Sequence, residues 1–199
     1  MKKILLIGDS TMFGSDASSG YGVYVSEHFK KNSTAEVIIP SDNCQDTRFN
    51  KNAFCDIFAE HADSLAHVDI IHWNNGLWDT LHFLGNKRPV VPIDRYRTNL
   101  ADIHAMLLKL CPRARIIFST TTPADESKND RNYRKNEEIA EYNKAAVELL
   151  SPLGCEINDL YTYADTHLWD RRADDPVHFT EDGCVALSAA VISAIGEIL

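Results

Sequence analysis

The chain has 199 residues, 44% apolar and 25% charged, enough for one domain over residues 1–199 with a sizeable core and too little for two. Its net charge of −9 at pH 7 sets nucleic acid aside as a partner, because the average field repels a polyanion. No stretch approaches the ~18 apolar residues of a membrane span, so no membrane partner is expected.

Met1-Lys2-Lys3 looks like the start of a signal peptide, but the apolar run behind it is too short and ends in Gly8-Asp9, which points to a cytoplasmic chain. That run, Ile4–Ile7, reads as a buried strand closed by Gly8. A helix is expected from about Gly20 to Lys31, then a short strand at Val37-Ile38-Ile39 closed by Pro40. Lys51 to Leu65 carries Phe54, Ile57, Phe58 and Leu65 along one stripe, and Val68–Trp73 is a third strand. Between Ile93 and Cys111, Tyr96, Leu100, Ile103, Leu107 and Leu110 recur at helical spacing, and Pro112 stops the helix. Ala114–Ser119 is a fourth strand, Arg134–Leu150 a helix with Ile139, Tyr142, Ala146, Val147 and Leu150 on one face, and Cys155–Asn158 a weak fifth strand. Thr180 caps a last helix to Leu199, with Val185, Ser188, Val191, Ile192, Ile195 and Leu199 turned inward.

Strands alternating with helices imply β-α-β units, hence an α/β fold: a three-layer sandwich of the flavodoxin-like kind, a five-stranded parallel sheet with the first strand central. Five long segments, Thr11–Ser19, Pro40–Asn50, Asn74–Pro92, Thr121–Tyr133 and Leu168–Phe179, fall at the exit edge of that sheet, where function collects. Five cysteines, an odd number with no C-x-x-C pair, read as free thiols, and Cys44 in a polar loop is the one to watch. Arg131, Arg134 and Lys135 form a small basic cluster flanked by Asp125, Glu126, Glu137 and Glu138.

Two stretches carry chemistry. Ser10 follows the first strand, where an open parallel sheet meets its ligands; Ser10 and Thr11 also suit the cap of a following helix. Asp175 and His178, three apart on a turn stiffened by Pro176, are spaced for the carboxylate to hold Nδ1 while Nε2 takes a proton from a serine. Taken alone, Asp175 also reads as a cap and His178 as a loop histidine.

Gly8-Asp9-Ser10 after the first strand, with Asp175-Pro176-Val177-His178 before the last helix, resembles the GDSL or SGNH hydrolases, esterases, thioesterases and lipases on a flavodoxin-like fold. The resemblance covers essentially the whole chain. It implies Ser10 as nucleophile, His178 as base and Asp175 as the acid that orients it. It also implies an oxyanion hole from the Ser10 N–H, a backbone N–H after the second strand at Gln45 or Cys44, and an Asn side chain after the third. There Gly76-Leu77-Trp78-Asp79 aligns with the family's Gly-x-Asn-Asp, which puts Trp78 at the Asn position and leaves Asn74 or Asn75 as alternatives. An indole N–H is a donor only and is able to serve. Asn74-Asn75-Gly76 also reads as a plain turn.

The glycines from Gly8 to Gly14 match neither G-x-G-x-x-G nor a P-loop, and the histidines near the third strand lack ligand spacing, so neither a cofactor nor a metal is expected. Asp9, Asn74, Trp73, His82 and Trp169 are the expected substrate contacts, with Trp78 and Phe83 as further walls of an aromatic cleft for a sugar ring or acyl chain. The expected reaction is hydrolysis of a carboxylic ester, a short acyl group on a carbohydrate or other small molecule. Alternatives are a thioesterase or lysophospholipase, a glycan-binding pseudo-hydrolase, and a nucleotide-binding flavodoxin-like protein.

Overall fold

The computed structural model describes residues 1–15 and 18–199. Its frame is a sheet of five parallel strands whose inner members are buried because helices cover both faces. In chain order these are β1 (Lys2–Ile7), α1 (Ser10–Phe13), the short pair β2 (Gly14–Ser15) and β3 (Ser18–Ser19), α2 (Tyr21–Lys31) and β4 (Ala35–Ile38). Then follow α3 (Thr47–Ile57), α4 (Ala62–Leu65), β5 (Ile70–Asn74), β6 (His82–Phe83), α5 (Ile93–Leu110) and β7 (Arg115–Ser119). The chain closes with β8 (Asn132–Tyr133), α6 (Asn136–Leu150), β9 (Glu156–Asn158), α7 (Leu160–His167) and α8 (Glu181–Gly196). The expected loop Thr11–Ser19 is instead α1 and the β2–β3 pair, and its residues 16 and 17 lie outside the described residues.

The sheet order is β4-β1-β5-β7-β9. β1 is interior, but the middle strand is β5. The chain steps outward from β1 through α2 to β4, then crosses back over β1 to β5. That reversal makes the carboxyl ends of β1 and β5 the switch point, the place where such sheets bind ligands.

Side chains alternate across the sheet. Leu5, Ile7, Ile71, Trp73 and Phe118 pack under α3, α5 and α6 with Phe54, Tyr96, Leu100 and Tyr142. Ile4, Leu6, Ile70 and Ile117 pack on the other face with Tyr21 and Val25 of α2, Leu160 of α7, and Leu187 and Val191 of α8.

The departures from the sequence reading have physical causes. α3 starts at Thr47 rather than Lys51, because the Asp46 side chain accepts the N–H groups of Arg48 and Phe49. It stops at Ile57, since Phe58 sits at φ −114° and ψ 14°, and a separate short α4 carries the stripe on to Leu65. α7 was not expected at all; its start is a cap, with Asp159 accepting the Thr162 N–H. Val185 on α8 and Leu199 past its end face out, and Cys184 and Leu187 take the inner face with Ser188, Val191 and Ile195. Among the described residues no helix is long and apolar enough to cross a membrane.

Candidate active site

β1 delivers Gly8, Asp9 and Ser10 to the switch point, and the turn into α1 is tight. A Cβ on Gly8 would lie 2.7 Å from the Met12 Cβ. Asp9, not Ser10 or Thr11, is the cap of α1: its Oδ1 accepts the Thr11 N–H at 2.9 Å. That leaves Ser10 as the first helical residue, with its hydroxyl uncommitted to capping and its N–H among the first-turn donors that have no intrahelical partner.

The other half arrives from the loop before α8. Ala173 N–H donates to the His178 carbonyl and Thr180 N–H to the Arg171 carbonyl, folding residues 171–180 back on themselves. Asp175 Oδ1 accepts the N–H groups of both Val177 and His178 at 2.8 Å, and its Oδ2 lies 2.8 Å from His178 Nδ1. His178 Nε2 in turn lies 2.8 Å from Ser10 Oγ. Three groups separated by nearly the whole chain thus form one continuous line of hydrogen bonds. Burial pushes the Asp175 carboxyl up, but the His178 and Val177 N–H groups and the imidazole outweigh it and hold it below the usual range. The carboxylate stays ionised, which favours the tautomer with the proton on Nδ1 and the lone pair of Nε2 toward Ser10.

A second cluster of side chains builds the opposite wall. Cys44 N–H donates to the Gly8 carbonyl at 3.1 Å, pinning the loop before α3 two residues from Ser10. Gln45 is in the left-handed region at φ 46°, where a glycine would be at ease. Both of its backbone groups are held: the N–H donates to Asn43 Oδ1 at 2.8 Å, and the carbonyl accepts from Asn75 Nδ2 at 3.0 Å. Asn75 is wholly buried, and its Oδ1 accepts from Asn50 Nδ2 at 2.6 Å and Trp73 Nε1 at 2.7 Å. With the oxygen doubly occupied, the amide nitrogen has only one way to face. The Asn75 carbonyl also takes the hydroxyls of Tyr96 and Thr121. Gly76, at φ +149°, passes so close that a Cβ there would lie 2.3 Å from Thr121 Oγ1.

Not every expected contact lies in a cleft. Trp73 is not a cleft wall: it is fully buried, edge-on to Phe118, with its indole N–H spent on Asn75. His82 is also fully buried; its Nε2 meets Glu138 Oε2 and its ring stacks on Tyr133, which pairs β6 with β8. Asn74 is buried and donates to the Ser119 carbonyl, and with Asp9, Thr11 and Tyr21 it lines a cavity of about 10 Å³ behind Ser10. Trp169 is 44% exposed, donates to Asp165 and covers the Arg172 guanidinium. Trp78 is half-buried; Asn75, not Trp78, is the side chain that reaches the Gln45 loop. Cys44 is buried, with its thiol pushed up to about 12 by burial.

Sequence reasoning missed Asn50, Thr47 with Asp79, and the role of burial at Arg134. Asp79 accepts from Thr47 N–H and from Thr47 Oγ1 at 2.6 Å, locking the start of α3 to the loop after β5. The Asp46-Thr47 pair was a legible cap signal; the long-range partner was not.

The family model for the GDSL-like lipase/acylhydrolase family matches residues 6–185, from the end of β1 into α8. A plant protein from Arabidopsis thaliana, GDSL esterase/lipase CPRD49, is 25% identical over 98% of this chain and 79% of its own length. Among solved structures, a lipase/acylhydrolase from Enterococcus faecalis superposes with a TM-score of 0.76 at 20% identity, over 100% of this chain and 97% of that one. The acetyl xylan esterase AlAXEase does so with 0.74 at 15% identity, over 97% and 99%. The match runs through both ends of the sheet edge where Ser10 meets His178, and the chain belongs to the GDSL-like lipase/acylhydrolase family, a family of carboxylic ester hydrolases.

Proposed function

We propose that this protein hydrolyses short-chain acyl esters of a carbohydrate, acetyl esters first, through a Ser10–His178–Asp175 relay. The observation that carries the reading is the line of two 2.8 Å contacts from Ser10 Oγ through the imidazole to Asp175 Oδ2. Ser10 Oγ attacks the ester carbonyl while His178 Nε2 takes its proton, and Asp175 stabilises the imidazolium. The imidazolium then protonates the departing alcohol, leaving an acyl group on Ser10. Water, deprotonated by the same Nε2, attacks that acyl group, and the acid leaves as the serine is reprotonated.

The tetrahedral oxyanion is taken by the Ser10 N–H and, once the Gln45 loop that covers it shifts, by the second amide proton of Asn75 Nδ2; the first is spent on the Gln45 carbonyl. The Gln45 N–H joins them when Asn43 Oδ1 releases it. Donors of this kind contribute about 2.7–4 kcal/mol each. A groove of about 470 Å³ runs beside α1 between Phe13, Ser19, Val23, Asp42 and Asn43. Its mixed polar rim suits a hydroxylated ligand better than a fatty chain, and the fold shared with an acetyl xylan esterase supports the same class.

Turnover of p-nitrophenyl acetate tests the relay. Ser10→Ala lowers kcat by about 10⁴-fold or more with an unchanged melting temperature, and a fluorophosphonate labels the wild type but not the variant. Full activity in Ser10→Ala overturns the assignment. Acetyl esters are turned over faster than octanoyl esters; the reverse order would make the protein a long-chain lipase or thioesterase.

A further inference from the structure

Of the small basic cluster in the sequence, Arg131 and Lys135 are exposed, and Lys135 pairs with Glu138. Arg134 is different: it is only 8% exposed. Its backbone is clamped by Asn129, whose amide donates to the Arg134 carbonyl and accepts from its N–H. Its Nε donates to the Leu77 carbonyl at 2.6 Å, in the loop directly after Asn75 and Gly76. Leu77 belongs to one small apolar cluster with Ala124, Ile139 and Val177, the neighbour of His178. The guanidinium is therefore fastened where the two walls of the site meet.

Its two terminal nitrogens bond nothing among the described residues. Of the carboxylates in electrostatic range, Asp175 is committed to Val177 and His178, and Asp9 gives Oδ1 to the Thr11 N–H while its charge still acts on the guanidinium; neither forms a hydrogen bond with it. Burying most of a guanidinium is costly, and the terminal nitrogens of Arg134, which are not among the fully buried atoms left without a partner, keep an opening to solvent. Burial draws its pKa down to about 10, so it remains a cation at neutral pH. A side chain anchored through Nε with a free Nη1/Nη2 pair presents a planar fork, and a carboxylate matches that fork with two parallel hydrogen bonds.

We propose that Arg134 is the specificity determinant of this site and that it binds a carboxylate on the alcohol half of the substrate, so that the preferred ester is an O-acetylated acidic sugar. The inference rests on the ester-hydrolase reading above and deepens it. It also answers an electrostatic difficulty: a chain of net charge −9 repels an anionic sugar on average, and Arg134, one of two buried arginines in electrostatic range of Asp175 (the other, Arg172, is covered by Trp169 and Phe179), supplies a local attraction.

The test is acetate release from an O-acetylated methyl glucuronoside, offered as the free acid and as its neutral methyl ester, by the full-length wild type, Arg134→Gln and Arg134→Lys. The wild type prefers the acid by about 10- to 100-fold in kcat/KM, the value of a charge-assisted bond. The preference shrinks with added salt, collapses toward one in Arg134→Gln and is intermediate in Arg134→Lys, which keeps the charge and loses the fork. No acid preference in the wild type, or one that survives Arg134→Gln, overturns the proposal. A preference for p-nitrophenyl hemisuccinate over p-nitrophenyl acetate that vanishes in Arg134→Gln would put the anion on the acyl half and overturn the assignment to the alcohol. If Arg134→Gln does not fold, the wild-type ratio and Arg134→Lys decide. Fluorophosphonate labelling of Ser10 separates the two readings: a reactive Ser10 without acid preference refutes only the role of Arg134, whereas an unreactive Ser10 refutes the hydrolase mechanism itself.

Discussion

Asp175 and Asp79 sit on two loops of the same sheet edge and are held in opposite ways. Asp175, on the serine–histidine side, is partly open to solvent and accepts three hydrogen bonds within its own turn, which hold its carboxyl below the usual range. Asp79, on the Asn75 side, is wholly buried and serves a partner 32 residues away; burial pushes its carboxyl up to about 7 in spite of the Thr47 bonds. One wall is local, charged and set for proton transfer. The other is a buried lattice of amides, hydroxyls and one carboxyl whose task is to keep donors still. Chemistry on the first wall is expected to fail abruptly when a group is removed, and on the second to fade as the lattice loosens.

Asp175→Asn gives the largest expected effect, a fall of about 10⁴-fold in kcat with a stability cost smaller than that of Asn75→Ala, because it favours the wrong imidazole tautomer while the amide oxygen still accepts the turn's N–H groups. Single-turnover kinetics and a melting curve read the two parts separately. Asn75→Ala comes next: kcat falls about 10²- to 10³-fold. It also costs more stability than Asp175→Asn, about 1–3 kcal/mol in urea, since the Asn50 amide, the Trp73 indole and the Gln45 carbonyl lose a partner. A stability loss in Asp175→Asn as large as in Asn75→Ala would erase the distinction between the walls.

Asn50→Ala sharpens it. Only one of the two donors to Asn75 Oδ1 is removed, and Asn50 Oδ1 is itself a buried acceptor with no partner among the described residues. The stability cost is accordingly under about 1 kcal/mol, while kcat falls several-fold with KM unchanged. Rescue by Asn50→Gln is not expected, because the longer chain does not fit the same buried place.

A separate effect lies in the pH dependence of stability rather than in turnover. The folded Asp79 carboxyl keeps its proton to about pH 7, whereas the unfolded one loses it near the ordinary carboxylate value of ~4. Between those limits the native state binds the extra proton, so Asp79 makes stability fall as pH rises through that window and level off above it. Asp175 works the other way, contributing stability above the ordinary range that is lost as pH falls through its depressed value. Urea midpoints from pH 4 to 8 for the wild type and Asp79→Asn check this: the variant loses the downward slope, and an unchanged slope would mean Asp79 is ionised throughout.

The first wall was legible in the sequence; of the second only Gln45 and Asn75 were, through the family resemblance, and the lattice that holds them was not, for physical reasons. Ser10 and the Asp175–His178 spacing are local signals, a hydroxyl after an apolar run and a carboxylate three residues from an imidazole. The strand–helix alternation and the stripes of α5 and α6 are likewise periodic within one element. Asn50, by contrast, is an ordinary helix residue until β5 is placed beside α3. Trp73 and His82 were read as cleft aromatics because composition says nothing of what covers a ring, and Phe118 and Tyr133 do that here. The start of α7 at Asp159 was missed because its eight residues bury only Leu160 and Ala164, too few to leave a stripe.

The two-rung pairing of His82 with Tyr133 and Phe83 with Asn132 ends one residue before Arg134. Successive residues of an extended chain point to opposite sides, so a slip of that pairing by a single position would turn the residue at 134 from interior to water. The outer edge of the ribbon, with Phe83 50% and Leu84 73% exposed, carries no load in either wall. Insertions and deletions at such a surface bend are well tolerated by folding. On the proposed role of Arg134, relatives that differ only in the length of this ribbon would keep Ser10, His178 and Asp175 in line while exchanging one clientele of esters for another.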